Sequence, residues 1–334
     1  MGGNKGWEKI KLNTTANSKN FSKVLVLQGG VSEEKEVSDS TAESCIEALE
    51  RINLVVEAVS VNSNNIHDLA EVIKSQNPDI IFNALHGGVG ENGTIQGLFE
   101  TLKIPYTHSG VLSSATAMDK FISKKIFKSS GLPVIEDLLL GGEEQLHQIP
   151  FAPPFVIKPN SGGSSVGIHF IKFEEQIEEV GRIVADQDRE YLLEKYIPGR
   201  ELTVAVLNGR PLTVTDIVTD DWYNYDAKYK NGGSEHLVPA DIPQKIFDLC
   251  INYAVTAHNT LGCRGITRSD FRWNEKNGKE GLYILELNTQ PGMTKTSLVP
   301  EQAKYVGLDL QYICLELIKD CLLYTSDAAD EVLG

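Results

Sequence analysis

The 334-residue chain is long enough to bury a sizeable core and to divide into two or three domains. Its 46 acidic and 31 basic residues give a formal net charge of −15, which argues against non-specific binding to nucleic acid or anionic membranes. The five cysteines (Cys45, Cys250, Cys263, Cys314, Cys321) show no C-x-x-C or metal-site spacing, and no segment approaches a membrane span, so a cytoplasmic protein with reduced thiols is expected.

Residues 1–20 lack the apolar core of a signal peptide and read as a disordered leader. Val24–Leu27 is a short buried strand ending at Gly29-Gly30, followed by a helix over Ser38–Glu50 with apolar Ala42, Cys45, Ile46 and Leu49. Val55–Val61 is a second strand, His67–Ser75 a helix, and Ile80–Leu85 a third strand entering His86-Gly87-Gly88. This alternation predicts a parallel sheet with ligand sites at the carboxyl ends of its strands, an N-terminal α/β domain over 21–117. From Met118 a helix runs to Ser130-Gly131 and stops before Pro133. Strands at Phe155–Lys158, Ile168–Ile171, Tyr191–Tyr196 and Glu201–Leu207 then predict a small central α+β domain, 118–207, with an antiparallel sheet. A larger C-terminal α+β domain, 208–322, carries a hairpin and helices over Ile246–Leu261 and Leu308–Leu322. Residues 323–334 show no helical stripe and read as a loose tail.

The hairpin is the most informative stretch. T-R-S-D-F-R-W and L-Y-I-L-E-L-N flank a polar turn at Asn274–Gly281. Pairing Asp270 with Glu286 sets Arg268 opposite Asn288, Phe271 opposite Leu285 and Trp273 opposite Tyr283. Alternation then puts Arg268, Asp270, Glu286 and Asn288 on one face. Directly opposed carboxylates repel, and a cation removes that penalty, so hard oxygen ligands on this face point to Mg²⁺ held with substrate phosphates. The plain alternative is the solvated face of an ordinary hairpin.

Other segments carry weaker signals. F-V-I-K-P-N-S-G-G-S-S-V-G couples Lys158 to a loop of Gly162, Gly163, Ser164, Ser165 and Gly167, suited to an anion but also to a merely flexible turn. It is neither a P-loop nor a dinucleotide turn, because a strand follows the glycines. Lys195 on a nearby strand favours the phosphate clamp. In Y-L-L-E-K-Y-I-P-G-R-E, the backbone of Glu194–Ile197 suits an adenine edge and Glu201 a ribose, although for this segment alone an edge strand and turn is the stronger reading. D-W-Y-N-Y-D-A-K-Y-K-N-G-G-S-E-H is a polar, aromatic loop, either a lid with Lys228 and Tyr229 as its reporters or simply solvated. Glu33, Glu34 and Glu36 near a helix start are, on their own, dipole partners.

Taken in order, these motifs resemble the D-alanine–D-alanine ligases of the ATP-grasp fold, from about Val24 to Leu322. The resemblance runs through G-G-V-S-E-E-K-E-V-S, A-L-H-G-G-V-G-E-N-G-T, S-A-T-A-M-D-K, I-K-P-N-S-G-G-S-S-V-G, E-K-Y-I-P-G-R-E, Y-D-A-K-Y, G-I-T-R-S-D-F and L-E-L-N-T-Q-P-G-M-T. It implies that Asp270, Glu286 and Asn288 hold two Mg²⁺ ions, replaceable by Mn²⁺, on the phosphates of ATP. By the same resemblance Lys120 and Lys158 grip the phosphates beneath Ser164 and Ser165, and Glu194, Lys195, Ile197 and Glu201 surround the adenosine. Glu34 matches the residue that takes the ammonium of the first D-alanine, with Ser164 and Tyr229 as its partners and His86 beside the substrate. Lys228 meets the transferred phosphate. Arg268 and the Gly292 N–H match the oxyanion hole, and Ser297 and Leu298 the carboxylate site of the second substrate. A homodimer is also implied.

The chain departs from the family pattern at Gly162, where many members carry Glu, at His108 for a common Gly, and at Asn92 for Asp. Tyr229, rather than Phe, resembles ligases that make D-alanyl-D-alanine for peptidoglycan. The alternatives are D-lactate or D-serine as second substrate, or a catalytically silent ATP-binding relative. The intact set of Arg268, Asp270, Glu286 and Asn288 argues against silence.

Overall fold

Apolar residues run without a break through Val24–Leu27, as expected of a strand covered on both faces. In the computed structural model, which describes residues 22–141, 149–163, 167–185, 189–219 and 234–330, this run lies in β1 (Lys23–Gly29). It is the centre of a parallel three-stranded sheet between β2 (Val55–Val61) and β3 (Ile80–Asn83). The connecting helices are α1 (Lys35–Glu50) and α2 (Ile66–Gln76). Helix α1 starts three residues ahead of its expected Ser38, because its buried stripe begins at Val37. Four short helices were not foreseen: α3 (Thr94–Leu102), α4 (Val111–Met118) and the later Ile177–Ala185 and Leu298–Tyr305.

Helix α5 (Lys120–Ser129) leads into a four-stranded antiparallel sheet of β4 (Asp137–Leu140), β7 (Tyr191–Lys195), β5 (Phe155–Pro159) and β6 (His169–Ile171), in that order. Helix α6 (Ile177–Ala185) packs on it, and Val180 and Val184 join Leu140, Phe155, Ile157 and Tyr191 in a separate core.

The third sheet is antiparallel and five-stranded, ordered β10 (Glu235–Leu237), β9 (Arg210–Val218), β8 (Arg200–Leu207), β11 (Ile266–Trp273) and β12 (Leu282–Asn288). The strand at Glu201–Leu207, grouped by its position in the sequence with the central module, therefore belongs here. It is hydrogen-bonded between β9 and β11, so the boundary drawn after residue 207 cuts through this sheet. Helix α7 (Gln244–Thr260) covers one face through Ile246, Cys250, Ala254 and Ala257. Two further helices, α8 (Leu298–Tyr305) and α9 (Leu310–Asp330), close the described chain. Helix α9 continues through Asp330, into the stretch expected to be a loose tail; residues 1–20 and 331–334 lie outside the described residues.

Apolar residues of the first sheet and α1 share one core with β8, β11, α8 and α9, including Val24, Phe82, Ala205, Ile266, Val299 and Ile318. Each fully buried aliphatic side chain there contributes roughly 1.5–3 kcal/mol.

The hairpin register agrees with expectation only in its first half. Arg268 pairs with Asn288 and Asp270 with Glu286, but Phe271 then pairs with Ile284 and Trp273 with Leu282. A bulge at Leu285 causes the shift. It lets Phe271 and Ile284 stay together in the core while Leu285 and Glu286 both line a cleft.

Candidate active site

Two adjoining pockets open between the sheets. One, of about 840 Å³, lies between the four-stranded sheet and the β11–β12 hairpin. The other, of about 1000 Å³, lies between the hairpin and the carboxyl edge of the parallel sheet. Lys120, Gly162, Gly163 and Glu286 line both, so the pockets meet there.

The position of Lys120 follows from local hydrogen bonding. Asp119 caps α5 by accepting from the Ile122 N–H at 2.9 Å. Asn160, just beyond β5, accepts from the Phe121 N–H at 2.9 Å and donates to Asp119 at 3.1 Å, and its carbonyl accepts from the Lys120 N–H at 3.1 Å. The start of α5 is thereby fastened to the end of β5, which brings Lys120 beside Lys158. The Lys120 Nζ donates to the Gly162 carbonyl at 2.6 Å and lies 3.6 Å from Glu286.

The two lysines are equally buried but shift in opposite directions. Burial pushes the Lys120 ammonium down, with Glu286 only partly opposing it. Burial acts on Lys158 too, but Glu194 at 2.7 Å and then Glu286 outweigh it and raise its pKa. Contact distance decides the difference. Glu194 is 3% exposed and is also held by Lys124 at 2.5 Å. Burial works against its charge, yet Lys124 and Lys158 together hold its carboxyl at about 2. The Glu194 side chain is thus engaged by lysines, although the residue lines the first pocket. Lys195, Ile197 and Glu201 line the same pocket. Arg272, two residues beyond Asp270 on the same strand face, ties them together by donating to the Ile197 carbonyl at 3.3 Å and to Glu201 at 3.2 Å.

On the hairpin face, Arg268 donates twice to Asp270, at 2.9 and 2.8 Å, and Thr203 donates to Asp270 at 2.7 Å. The repulsion between Asp270 and Glu286 is therefore already relieved by Arg268 on one side and Lys120 on the other. A metal is not required to explain the opposed pair. The donor set nevertheless suits a hard divalent cation: two carboxylates and the Asn288 amide oxygen share one face at the pocket junction. Among the described residues no three His, Cys, Asp or Glu side chains form a metal-ligating cluster.

Glu34 and His86 line the second pocket with Arg268, Asn288 and Gly292. A Cβ on Gly87 would stand 2.5 Å from Glu34 Oε2, and one on Gly163 would stand 3.0 Å from it, so both glycines make room for this carboxylate. The His86 ring is committed on both nitrogens, to Glu91 at 3.0 Å and Thr41 at 3.0 Å, and serves as a fixed wall. Ser297 precedes α8, and its hydroxyl accepts from the Thr294 N–H at 3.0 Å. With Leu298 it presents the N-terminal end of α8 to the pocket, an arrangement suited to a carboxylate. Gln290 fastens the end of the hairpin to the parallel sheet by donating to the Leu85 carbonyl and accepting from Asn83 at 3.0 Å.

Every sequence-predicted site residue within the described chain lines one pocket or both. Ser164, Ser165, Lys228 and Tyr229 lie outside the described residues. Sequence reasoning missed Lys124, Glu91, Arg272, Gln290 and His236, the last of which lines the second pocket with its Nδ1 2.6 Å from Glu301. Lys124 and Arg272 were within reach, since each repeats the face of a chosen residue, one helical turn after Lys120 and two strand positions after Asp270. Glu91 stands inside the quoted H-G-G-V-G-E motif. Gln290 and His236 act through partners distant in sequence, and no local pattern marks them.

Comparison with known proteins agrees with this architecture. Residues 126–319 match the family profile described as D-ala D-ala ligase C-terminus, and residues 55–109 match D-ala D-ala ligase N-terminus. D-alanine–D-alanine ligase of Cereibacter sphaeroides strain ATCC 17025 is 50% identical over 300 residues, covering 90% of this chain and 96% of the relative. That of Ruegeria sp. strain TM1040 is 49% identical over 298 residues, covering 89% and 95%. The crystal structure of the Bacillus anthracis D-alanine–D-alanine ligase complexed with ATP superposes with a TM-score of 0.79 at 30% identity, covering 93% of this chain and all of that one. The VanG D-Ala:D-Ser ligase of Enterococcus faecalis superposes with a TM-score of 0.76 at 26% identity, covering 90% and 99%. With the ATP-grasp architecture shared and half of the residues identical along nearly the whole chain, this protein belongs to the D-alanine–D-alanine ligase family.

Proposed function

We propose that the chain joins two D-alanine molecules into D-alanyl-D-alanine at the expense of ATP, releasing ADP and phosphate, as a step toward peptidoglycan precursors. The meeting of the two pockets at Lys120, Gly162, Gly163 and Glu286 carries this reading, because it sets a pocket whose lysines suit phosphates against one whose Glu34 and α8 N-terminal end suit the ammonium and carboxylate of amino acids. A carboxylate does not condense with an amine in water, so it is first phosphorylated. That transfer depends on positioning and charge neutralisation.

Lys120 and Lys158 hold the phosphates in this scheme, and Lys195, Ile197 and Glu201 surround the nucleoside. Glu194 adjoins the nucleoside while anchoring Lys158. Glu34 takes the ammonium of the first D-alanine and leaves its carboxylate at the junction. Asp270, Glu286 and Asn288 fit two Mg²⁺ ions, with Mn²⁺ as a substitute, and ions bound there would neutralise phosphate charge. Arg268, oriented by its double hydrogen bond to Asp270, and the Gly292 N–H face the oxyanion formed when the second amine attacks. Ser297 and Leu298 receive the second carboxylate. For Ser164, Ser165, Lys228 and Tyr229 the support is the resemblance alone, with Lys228 at the transferred phosphate and the others closing the site over it.

The decisive assay incubates the protein with ATP, Mg²⁺ and D-alanine, alone or with D-lactate or D-serine, and identifies products by mass. D-alanyl-D-alanine is expected, with phosphate released only when D-alanine and Mg²⁺ are both present. Release unchanged without D-alanine would sink the reading. No described helix is long and apolar enough to cross a membrane, and we place the activity in the cytoplasm, where ATP is available. A homodimer is expected, and light scattering would test it.

A further inference from the structure

Asp137 and Glu194 stand directly opposite each other on the antiparallel strands β4 and β7. Opposed like charges destabilise a sheet, and both of these are buried, with side chains 7% and 4% exposed. Lys124, whose side chain is fully buried, lies between them at 2.8 Å from Asp137 and 2.5 Å from Glu194. On its far side Glu194 holds Lys158 at 2.7 Å. The four groups therefore form a line of alternating sign: Asp137, Lys124, Glu194, Lys158. The line is neutral in sum but polarised. Its cationic end, Lys158, lines the first pocket, and its anionic end lies on the same face at the edge strand β4, where the half-exposed Lys125 approaches Asp137 at 3.6 Å.

We propose that Lys124 is a positioning residue for nucleotide binding, which acts through Glu194 to keep the cationic end of this line turned toward the phosphates. It touches no ligand, because its side chain is fully enclosed. Without it, Asp137 keeps Lys125 at 3.6 Å and Glu194 keeps Lys158 at 2.7 Å, and the charge beside the phosphate site is one unit more negative. Lys158 would then be drawn back onto Glu194 and away from the ligand. The inference rests on the reading of this pocket as the ATP site.

The line makes a prediction of sign that a merely structural role does not. Removing Lys124 leaves the cluster one charge more negative, and removing the charge of Asp137 leaves it one charge more positive. Both changes break a buried ion pair and lower stability, but they should move nucleotide affinity in opposite directions. The experiment measures ATP and ADP dissociation constants with Mg²⁺ by calorimetry for the wild type, Lys124→Met, Asp137→Asn and the double variant, with melting temperatures in parallel. Lys124→Met should weaken ATP binding about tenfold or more, corresponding to about 1.4 kcal/mol. Asp137→Asn should leave it unchanged or tighten it about two- to threefold, and the double variant should recover most of the loss. An unaltered ATP affinity in Lys124→Met, or equal weakening in both single variants, overturns the proposal.

If Lys124→Met does not fold, the other arms decide. Weakened ATP binding in Asp137→Asn, or tenfold weakening in the neutral double variant, also overturns it. A wild type that binds ATP but yields no dipeptide refutes the ligase reading and leaves this test standing. A wild type that binds no nucleotide removes the proposal with the site.

Discussion

Two carboxylate pairs in this molecule face each other across antiparallel strands, Asp137 with Glu194 and Asp270 with Glu286. Sequence geometry alone treats them alike, but their surroundings separate them. The first pair is sealed around a lysine with no exposure at all, so its countercharge is built in and permanent. The second faces the cleft, with Glu286 30% exposed and Lys120 3.6 Å away. A countercharge there can be exchanged for a ligand. Opposed carboxylates do not in themselves announce a metal; what matters is whether the compensating cation is enclosed or replaceable.

Substitutions should divide along that line. Glu286→Gln should lower turnover about a hundredfold to a thousandfold while leaving the urea midpoint nearly unchanged. Near-normal steady-state rates would refute its proposed role. Lys124→Met should show the reverse emphasis, losing about 3–5 kcal/mol of stability because a buried carboxylate pair loses the ammonium enclosed between its members. Equilibrium unfolding compared between the two variants measures that contrast.

A smaller effect is expected at Gly87, whose φ of +69° disfavours a side chain and whose Cβ would crowd Glu34. Gly87→Ala should cost about 1–2 kcal/mol and raise the D-alanine concentration needed for half-maximal rate, while ATP affinity holds. Equal loss at both substrates would mean that the whole cleft, and not Glu34, had moved.

The mildest probe is acid. Burial pushes His108 down to about 3 and His258 to about 4, from an ordinary value of 6.5. Each therefore stays neutral when folded while the unfolded chain takes up protons. Stability should fall as the pH drops below 6.5, approaching 1.4 kcal/mol per pH unit for each histidine. Glu194, depressed from 4.5 to about 2, loses its contribution only as the pH falls through that lower window. Urea midpoints at pH 7, 5.5 and 4.5 should decline already in the first interval, and His258→Gln should flatten part of the slope.

Much of this was legible in the residues. The buried run at Val24–Leu27 marked the parallel sheet, and strand alternation placed Arg268, Asp270, Glu286 and Asn288 on one face. What escaped lies between segments. The bulge at Leu285 satisfies a core contact of Phe271 that no local pattern encodes. Short helices such as α8 lack a stripe long enough to stand out. Lys124 looks like any surface lysine until β4 and β7 enclose it, and the placement of the Arg200–Leu207 strand depends on a partner some 60 residues later in the chain.

The division of the cores has a thermodynamic consequence. The four-stranded sheet and α6 have a core of their own, whereas the hairpin shares packing with the rest of the molecule. The cleft is therefore a seam between two cooperative units that can open at different free energies. The pocket in this seam is lined by β5 and β7 on one side and β11 and β12 on the other, so a nucleotide bound there, as proposed, would touch both. Its binding energy is added to the smaller unit only while that unit is folded, by RT ln(1 + [L]/Kd). Occupancy of the proposed site would thus make two melting units behave as one, with nucleotide concentration setting how firmly the small sheet is held.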